Sequence, residues 1–241
     1  MKQKFTKEDF EKFKKYFSIK AKGSNVENYF LEKTYKYIKF IKWLPGIEMI
    51  GVGNSISMNA SNLESDIDLY IVSKPKTMWI NRIIITLIFQ ILGVRKNAKK
   101  HAGRFCLSFF STTLGMDFSN WKIENDIYLY FWILYFKPLL SYNNTYEAFL
   151  EKNSNWLDFS EYNDIIIENK KYIRYKKNTK ENTFFLRIYE KVDYLIKIIF
   201  LPKTLKHFEK LGKPYGIIIN DDLLKFHDND IREKIKKEIM D

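Results

Sequence analysis

The chain has 241 residues, of which 46% are hydrophobic and 29% charged, and it carries a formal net charge of +12. Intrinsically disordered chains have too few apolar residues to form a core, so this composition excludes that class. The single cysteine, Cys106, cannot close an internal disulfide, which argues against a disulfide-stapled secreted fold and favours the cytoplasm.

The excess of Lys and Arg is compatible with two different surfaces. It is typical of proteins that bind nucleic acid, nucleotide phosphates or an anionic surface. It is equally typical of a solvated, lysine-rich surface with no ligand. The charge alone therefore does not indicate a function.

The first 115 residues alternate between helical and strand patterns. Apolar spacing predicts two amphipathic helices, and Pro45 and Gly46 form a turn after the second. A buried strand, a polar loop and a strictly alternating strand follow, and then an apolar helix, a basic link and a third strand. These elements lie at residues 5–17, 26–43, 47–52, 54–65, 66–72, 76–92, 95–104 and 105–110. The order indicates an α/β unit.

The character of the chain changes beyond residue 120. Helical patterns predominate there, with an exposed basic linker, a break at Pro202 and one short strand before a charged last helix. The predicted helices cover 123–136, 145–152, 156–169 and 184–201, the linker covers 170–182, and the strand covers 217–219. We therefore expect an α/β region over 1–120 and a mostly helical region over 121–241.

Two apolar stretches come closest to membrane-spanning character. Residues 78–94 are interrupted by Arg82, Gln90 and Gly93. Residues 127–136 are too short, because a helix needs about 20 apolar residues to cross a bilayer. We expect both to be helices buried inside the protein, with no insertion into a membrane.

A pair of carboxylates is the most informative feature of the sequence. Asp66 and Asp68 are two residues apart on a predicted strand, so both side chains point to the same face. Two carboxylates side by side repel each other unless a cation lies between them. Mg²⁺ is commonly held by one or two carboxylates together with phosphate oxygens of a substrate. The pair therefore predicts a magnesium site.

A glycine turn precedes this pair. Gly53 ends the strand thirteen residues before Asp66, and Asn54 and Ser55 add polar groups at the turn. A residue without a Cβ lets backbone N–H groups approach a phosphate. Together with the carboxylates, the turn is typical of a site for a metal and a triphosphate.

The ordered set of a strand, Gly53-Asn54-Ser55, a spacer and Ser65-Asp66-Ile67-Asp68-Leu69 resembles the nucleotidyltransferase superfamily of the DNA polymerase β type. The resemblance implies a small polymerase β-like sheet with flanking helices over residues 1–120. It implies that Asp66 and Asp68 bind two Mg²⁺ ions and that Gly53, Asn54, Ser55 and Ser65 bind the phosphates of a nucleoside triphosphate (NTP). Asn54 departs from the usual Ser or Gly of the turn.

A second departure concerns a third carboxylate. Active members of the superfamily usually carry another Asp or Glu on a later strand, where it serves as a metal ligand and general base. The corresponding strand here contains no acid, and Cys106 or Ser108 occupies the place. Asp117 follows that strand closely and is a candidate metal ligand. Either the third ligand comes from elsewhere, or two carboxylates suffice, or catalysis has been lost.

Residues 224–232 gather further candidates near the C-terminal end of the sequence. If this segment folds back onto the cleft, His227 would serve as a proton shuttle, Asp230 as the substitute acid and Arg232 as a phosphate clamp. The alternative is a charged helix start, in which Asp228 or Asp230 is the cap and Arg232 is solvated.

Two functions remain open at this stage. One is Mg²⁺-dependent transfer of a nucleoside monophosphate from an NTP to an acceptor hydroxyl on a small molecule, a protein or RNA. The other is a catalytically impaired domain that binds nucleotide, RNA or a protein partner. The Gly53–Ser55 turn and the Asp66–Asp68 pair favour the first, and the missing acid at residues 104–110 favours the second.

Overall fold

The computed structural model describes residues 2–177 and 183–240, and a seven-stranded mixed sheet organises them. The strands are β1 (Ile47–Val52), β2 (Ile67–Ser73), β3 (Phe105–Thr112), β4 (Lys137–Tyr142), β5 (Tyr175–Lys177), β6 (Ile217–Ile219) and β7 (Leu223–Phe226). Their order is β5-β4-β1-β2-β3-β7-β6. The pairs β2–β3 and β4–β5 are parallel, and the other neighbours are antiparallel.

Helices cover both faces of this sheet. They are α1 (Lys7–Phe17), α2 (Asn25–Ile38), α3 (Asn54–Ser57), α4 (Met78–Ile91), α5 (Ile127–Tyr135), α6 (Thr145–Ser154), α7 (Asn163–Lys170), α8 (Thr183–Lys210) and α9 (Arg232–Met240). Capping boxes begin α1 at Thr6 and α2 at Ser24, because each cap exchanges hydrogen bonds with an acidic residue three positions on. None of the described helices is long and apolar enough to cross a bilayer.

The alternation of β2 divides the core into two parts. Ile67, Leu69 and Ile71 pack with residues of α2 and α4 on one face of the sheet. Tyr70 and Val72 pack on the other face with residues of α1, α5, α6 and α9. Since side chains two apart share a face, Asp68 belongs to the face that α5 covers.

The mixed α/β class is confirmed, and the region after residue 120 adds strands that its sequence pattern did not predict. β4 begins directly after α5 and pairs with β1, and β7 pairs with β3. Pro138 comes shortly after the predicted helix over 123–136 and lies inside β4. It is tolerated in β4 because the register with β1 shifts between Ile50 and Gly51, opposite Pro138.

Two other expectations for this region need correction. The break predicted at Pro202 was wrong, because α8 continues through it to Lys210. A proline removes one backbone hydrogen bond of a helix, and the rest of this long helix is retained. Of the linker predicted at 170–182, residues 170 and 175–177 belong to α7 and β5, and 178–182 lie outside the described residues.

The sheet also crosses the boundary expected at residue 120. β1, β2 and β3 come before it, whereas β4, β5, β6 and β7 come after it and pair on both sides of the first three. The core on the α5 face likewise contains residues from both regions, for example Tyr70 and Phe131. The two regions therefore share one sheet and the core on its α5 face.

Candidate metal and nucleotide site

The two aspartates of the predicted metal site lie together at the start of β2. One ligand atom from each of Asp66, Asp68 and Cys106 lies within 4.8 Å of the others, and this is the one such group of three potential ligands within residues 2–177 and 183–240. Cys106 joins the pair because it is the register partner of Asp68 in the parallel β2–β3 ladder. The place where a third carboxylate is expected therefore holds the thiol of Cys106, one of the two residues that the sequence of β3 offers there.

A lysine accompanies these carboxylates. The Nζ atom of Lys96 donates to Oδ2 of Asp66 at 2.6 Å. Its backbone N–H donates to the carbonyl of Phe105 at 2.9 Å, which holds the basic link against β3. Desolvation opposes the charge on Lys96, but Asp66 and, to a smaller extent, Cys106 and Asp68 together outweigh it and raise the lysine pKa. Lys96 is therefore a fixed cation beside the aspartates, and the basic run at 95–104 was its signal in the sequence.

The carboxyl group of Asp68 is held in an unfavourable environment for its charge. Desolvation and the neighbouring Asp66 raise its pKa to about 6, although hydrogen bonds from Asn54 and Cys106 oppose this shift. Burial and Asp68 raise the pKa of the Cys106 thiol to about 12, so Cys106 stays protonated. Two aspartates that repel each other fit a hard divalent cation such as Mg²⁺. A neutral thiol is a poor ligand for that ion, so Asp66 and Asp68 would be its protein ligands.

Gly53 of the glycine turn has a packing role in the structure, and the phosphate role of the turn stays a prediction. The N–H of Gly53 donates to the carbonyl of Asp68 at 3.0 Å, so it is already engaged. A Cβ on Gly53 would lie 2.8 Å from the indole of Trp132. Glycine is therefore required here by the packing of α5 against the turn.

Asn54 connects this turn to Asp68. Its Oδ1 atom accepts hydrogen bonds from the Tyr128 hydroxyl at 3.0 Å and from Nε1 of Trp132 at 2.9 Å. With its oxygen held by these two side chains, its amide nitrogen donates to Asp68 and lowers the aspartate pKa in part. Tyr128 and Trp132 are four residues apart on one face of α5. Asn54 thus positions a carboxylate, a role that sequence reasoning missed.

Two other residues that are predicted to bind phosphate, Ser55 and Ser65, lie in local turns. Ser55 follows Asn54 in α3, and its carbonyl accepts from the N–H of Ala60 at 2.8 Å. The hydroxyl of Ser65 accepts from the N–H of Asn62 at 3.0 Å. These bonds stabilise the loop between α3 and β2, and the phosphate roles of Ser55 and Ser65 stay predictions.

Asp117 lies after β3 in a turn of its own. Its Oδ1 atom accepts from the N–H of Ser119 at 2.9 Å. Within the described ranges, the ligand group around Asp66 does not include it. The structure therefore does not bring this predicted metal ligand to the aspartate pair.

The segment at 224–232 does fold back against the cleft. Nε2 of His227 lies 3.3 Å from the hydroxyl of Ser108, and the Cys106 thiol lies 3.2 Å from the same hydroxyl. This chain of contacts connects His227 to Asp68. Burial, with a contribution from Lys225, lowers the pKa of His227 to about 4. The imidazole is therefore neutral at pH 7 with a lone pair that can take a proton, and it is a weaker base than an ordinary histidine.

Asp230 and Arg232 form ion pairs beside this histidine. Nε of Arg232 donates to both carboxylate oxygens of Asp230, at 2.9 and 3.0 Å, and its Nη1 donates to Asp126 at 2.9 Å. Asp230 also pairs with Lys225 at 3.4 Å. Arg232 is buried, so it is neither the solvated residue of one hypothesis nor the free phosphate clamp of the other. Asp230 likewise pairs with Arg232 and Lys225. Within the described residues, it does not belong to the group of potential metal ligands around Asp66.

A cavity of about 180 Å³ opens next to the site, under the turn between β7 and α9. Its lining residues are Asn54, Phe109, Trp121, Tyr128, Leu129, Trp132, Lys225, His227, Asn229, Asp230, Ile231 and Arg232. A much smaller void next to it is lined by Asp68, Leu69, Tyr70 and Ser108 together with four of the same residues, Asn54, Phe109, Trp132 and His227. The cavity and the aspartate pair are therefore neighbours. We call the larger of the two, the cavity of about 180 Å³, the aromatic cavity.

In comparisons with known proteins, no family model, no curated protein and no solved structure matches the chain.

Proposed function

We propose that the protein is a Mg²⁺-dependent nucleotidyltransferase that moves a nucleoside monophosphate from an NTP to an acceptor hydroxyl. The main support for a metal site is the Asp66–Asp68 pair, in which burial and mutual repulsion raise the pKa of Asp68. Such a pair is stabilised when a divalent cation binds between the carboxylates. The resemblance of Gly53-Asn54-Ser55 and Ser65-Asp66-Ile67-Asp68-Leu69 to the nucleotidyltransferase motif supports a nucleotide as the companion of that cation.

The reaction requires charge neutralisation at the phosphates. Asp66 and Asp68 would hold the magnesium, which supplies positive charge to the triphosphate. Lys96 supplies a second cation, since its ammonium lies 2.6 Å from Asp66 and is partly exposed. The acceptor oxygen forms a bond to the α-phosphorus, the bond from that phosphorus to the bridging oxygen breaks, and pyrophosphate leaves with the bonding electrons.

The proton of the acceptor hydroxyl needs a base. The position expected to supply a carboxylate holds the protonated thiol of Cys106. His227 is neutral and lines both the aromatic cavity and the void that adjoins Asp68. We therefore assign the proton to His227, in line with the shuttle role predicted from the sequence.

A non-catalytic nucleotide-binding domain is the second candidate. It is favoured by the thiol at Cys106 and by the ion pairs that occupy Asp230, because neither supplies a third carboxylate to the aspartates. In that case the site would bind the NTP and its magnesium without transfer.

The test compares NTP binding and transfer in matched variants. Equilibrium dialysis with labelled NTPs, with and without Mg²⁺, is run on the wild type, Asp66→Asn, Asp68→Asn and the control Asp117→Asn. We expect the first two variants to lose the Mg²⁺-dependent part of binding by at least about tenfold, and Asp117→Asn to retain it. Unchanged Mg²⁺-dependent binding in both Asp66→Asn and Asp68→Asn would contradict a metal site here.

Transfer of the label separates the two candidates. With the α-phosphate labelled, an enzyme moves the label to an acceptor or to the protein itself. Replacing a general base typically lowers the chemical step by about 10²–10⁴-fold while binding is retained, and this is the result expected for His227→Phe. Mg²⁺-dependent NTP binding with no transfer to any small molecule, protein or RNA acceptor would favour the non-catalytic domain.

A further inference from the structure

The long helix α8 leaves a wide apolar surface exposed. One side of the helix packs against α4, where the buried side chains of Tyr189 and Asp193 bond to Asn81 and to the N–H of Ile80. The other side exposes large apolar side chains, which include Ile188, Val192, Tyr194, Leu195, Ile198, Ile199 and Leu205. We call these seven side chains the α8 face. Monomeric proteins rarely expose so large an apolar patch, and such patches usually indicate an interaction surface.

The spacing of the α8 face indicates what kind of element covers it. Four of its members follow one another at intervals of four, three and four residues: Ile188, Val192, Leu195 and Ile199. This is the spacing of the a and d positions in a coiled coil, where the side chains of a second helix fit between those of the first. An open groove of about 840 Å³ lies beside this row and is lined in part by Ile188, Tyr194 and Leu195. The α8 face therefore fits another helix.

The area and composition of the α8 face match an interface between proteins. At roughly 100 Å² for each half-exposed large apolar side chain, its seven residues offer roughly 700 Å², close to the about 800 Å² that a standard complex buries on each partner. Within residues 188–199, Lys191 is the one charged residue whose helical position falls on this face. The centres of protein interfaces are similarly depleted in charge, whereas a nucleic acid would need a row of cations.

We propose that two copies of the chain dimerise through the α8 face, with their α8 helices packed antiparallel. Symmetric dimers use one surface that complements itself about a two-fold axis. An axis at the middle of the row would place Ile188 of one copy against Ile199 of the other. It would likewise place Val192 against Leu195, so that every a position meets a d position of the second copy.

Charge selects the antiparallel direction. Lys203, Lys206 and Lys210 are exposed and continue the same side of α8 beyond the apolar row. Parallel helices would bring each of these lysines next to its own copy, and like charges in contact oppose association. Antiparallel helices place the two groups of lysines at opposite ends of the interface, where they reach solvent.

Sedimentation velocity of the full chain measures the dimer. We expect the wild type to be mainly dimeric at about 10 µM. Leu195→Glu and Ile199→Glu each bury an unpaired charge in the interface twice per dimer, and each should weaken dimerisation by at least about 100-fold. The matched control is Ile167→Glu, because Ile167 lies on α7 and is 51% exposed, against 55% for Ile199. It should dimerise as the wild type does, and circular dichroism checks that each variant is folded.

Disulfide trapping tests the direction of packing. Cys106→Ser removes the single cysteine of the chain, and Ile188→Cys and Ile199→Cys are then introduced into separate samples of this variant. When the two samples are mixed and oxidised, antiparallel helices should give mainly the mixed disulfide, since the two positions face each other. Disulfides that join each position to its own copy would overturn the antiparallel arrangement.

Other occupants of the α8 face give different results. A wild type that stays monomeric at every concentration, or a dimer that persists in both Leu195→Glu and Ile199→Glu, would overturn the proposal. A monomer that binds vesicles of anionic phospholipid, and loses this binding in Leu195→Glu, would also overturn it and assign the face to a membrane surface. Dimerisation does not require the metal site, so Asp68→Asn should dimerise as the wild type does.

Discussion

At the scale of single residues, the main feature of the site is the free-energy cost of a charged Asp68 beside Asp66. Its pKa of about 6 lies above the ordinary value of 3.8, because burial and Asp66 both disfavour the charge. A group whose pKa is raised in the folded state binds protons more readily there than in the unfolded chain. Its contribution to stability therefore falls as pH rises from about 4 to about 6, and it remains unfavourable above that range.

Asp68→Asn should remove this pH dependence. The amide has nearly the same shape and no charge, so in EDTA at pH 8 we expect the variant to be more stable than the wild type by about 2–3 kcal/mol. At pH 4 the two proteins should be nearly equal, since Asp68 is then protonated in the folded state. Urea unfolding at both pH values measures the difference, and a variant less stable than wild type at pH 8 would show that Asp68 has a structural role.

At the scale of elements, two helices depend on each other through a buried carboxylate. Thr77 is the N-cap of α4 but makes no side-chain capping bond. Instead Oδ1 of Asp193, from α8, accepts from the N–H of Ile80 at 2.8 Å. Nearby, the hydroxyl of Tyr189 donates to Asn81 at 2.7 Å. Asp193 thus caps α4 from a distance of more than a hundred residues along the chain.

Asp193→Ala should therefore destabilise the whole protein. Loss of an N-cap acceptor costs about 0.5–2 kcal/mol, and the aspartate is buried, so we expect the upper half of that range. Asp193→Asn keeps an acceptor and should cost less, whereas Lys191→Ala, on an exposed position of the same helix, should have little effect. Chemical unfolding of the three variants measures the order, and an equal effect of Asp193→Ala and Lys191→Ala would contradict the capping role.

At the scale of the whole molecule, the sheet makes the two halves of the chain interdependent. β4 covers the edge of β1, and β7 covers the edge of β3, although both strands follow residue 120. α5 supplies much of the core on one face, including Phe131 and Trp132. A fragment that ends at residue 120 would expose both strand edges and this apolar face.

A fragment of residues 1–120 should consequently fail to fold by itself. We expect no cooperative thermal transition in circular dichroism and poor dispersion of amide signals in NMR, because the fragment lacks most of the core that Tyr70 and Phe109 pack into. The full chain, prepared in parallel, is the control. A cooperative transition with dispersed amide signals would show instead that the α/β region is an autonomous domain.

Local patterns in the sequence were sufficient for the elements that are long or strictly periodic. The bounds of β1 were predicted without error, and β2 followed from the alternation that places Ile67, Leu69 and Ile71 in one core. The same alternation was sufficient to place Asp66 and Asp68 together. β4 and β7 were missed because they are short, lie next to helices or turns, and become strands only by pairing with β1 and β3.

By itself, the sequence determined the α/β class and the carboxylate pair, because side-chain direction along a strand is a local property of the backbone. The tertiary structure alone decided what surrounds that pair. It placed Lys96 beside Asp66, paired Arg232 with Asp126, and brought His227 to Ser108. These contacts join residues far apart in the chain, and their charges and pKa values depend on burial and on partners that no local pattern specifies.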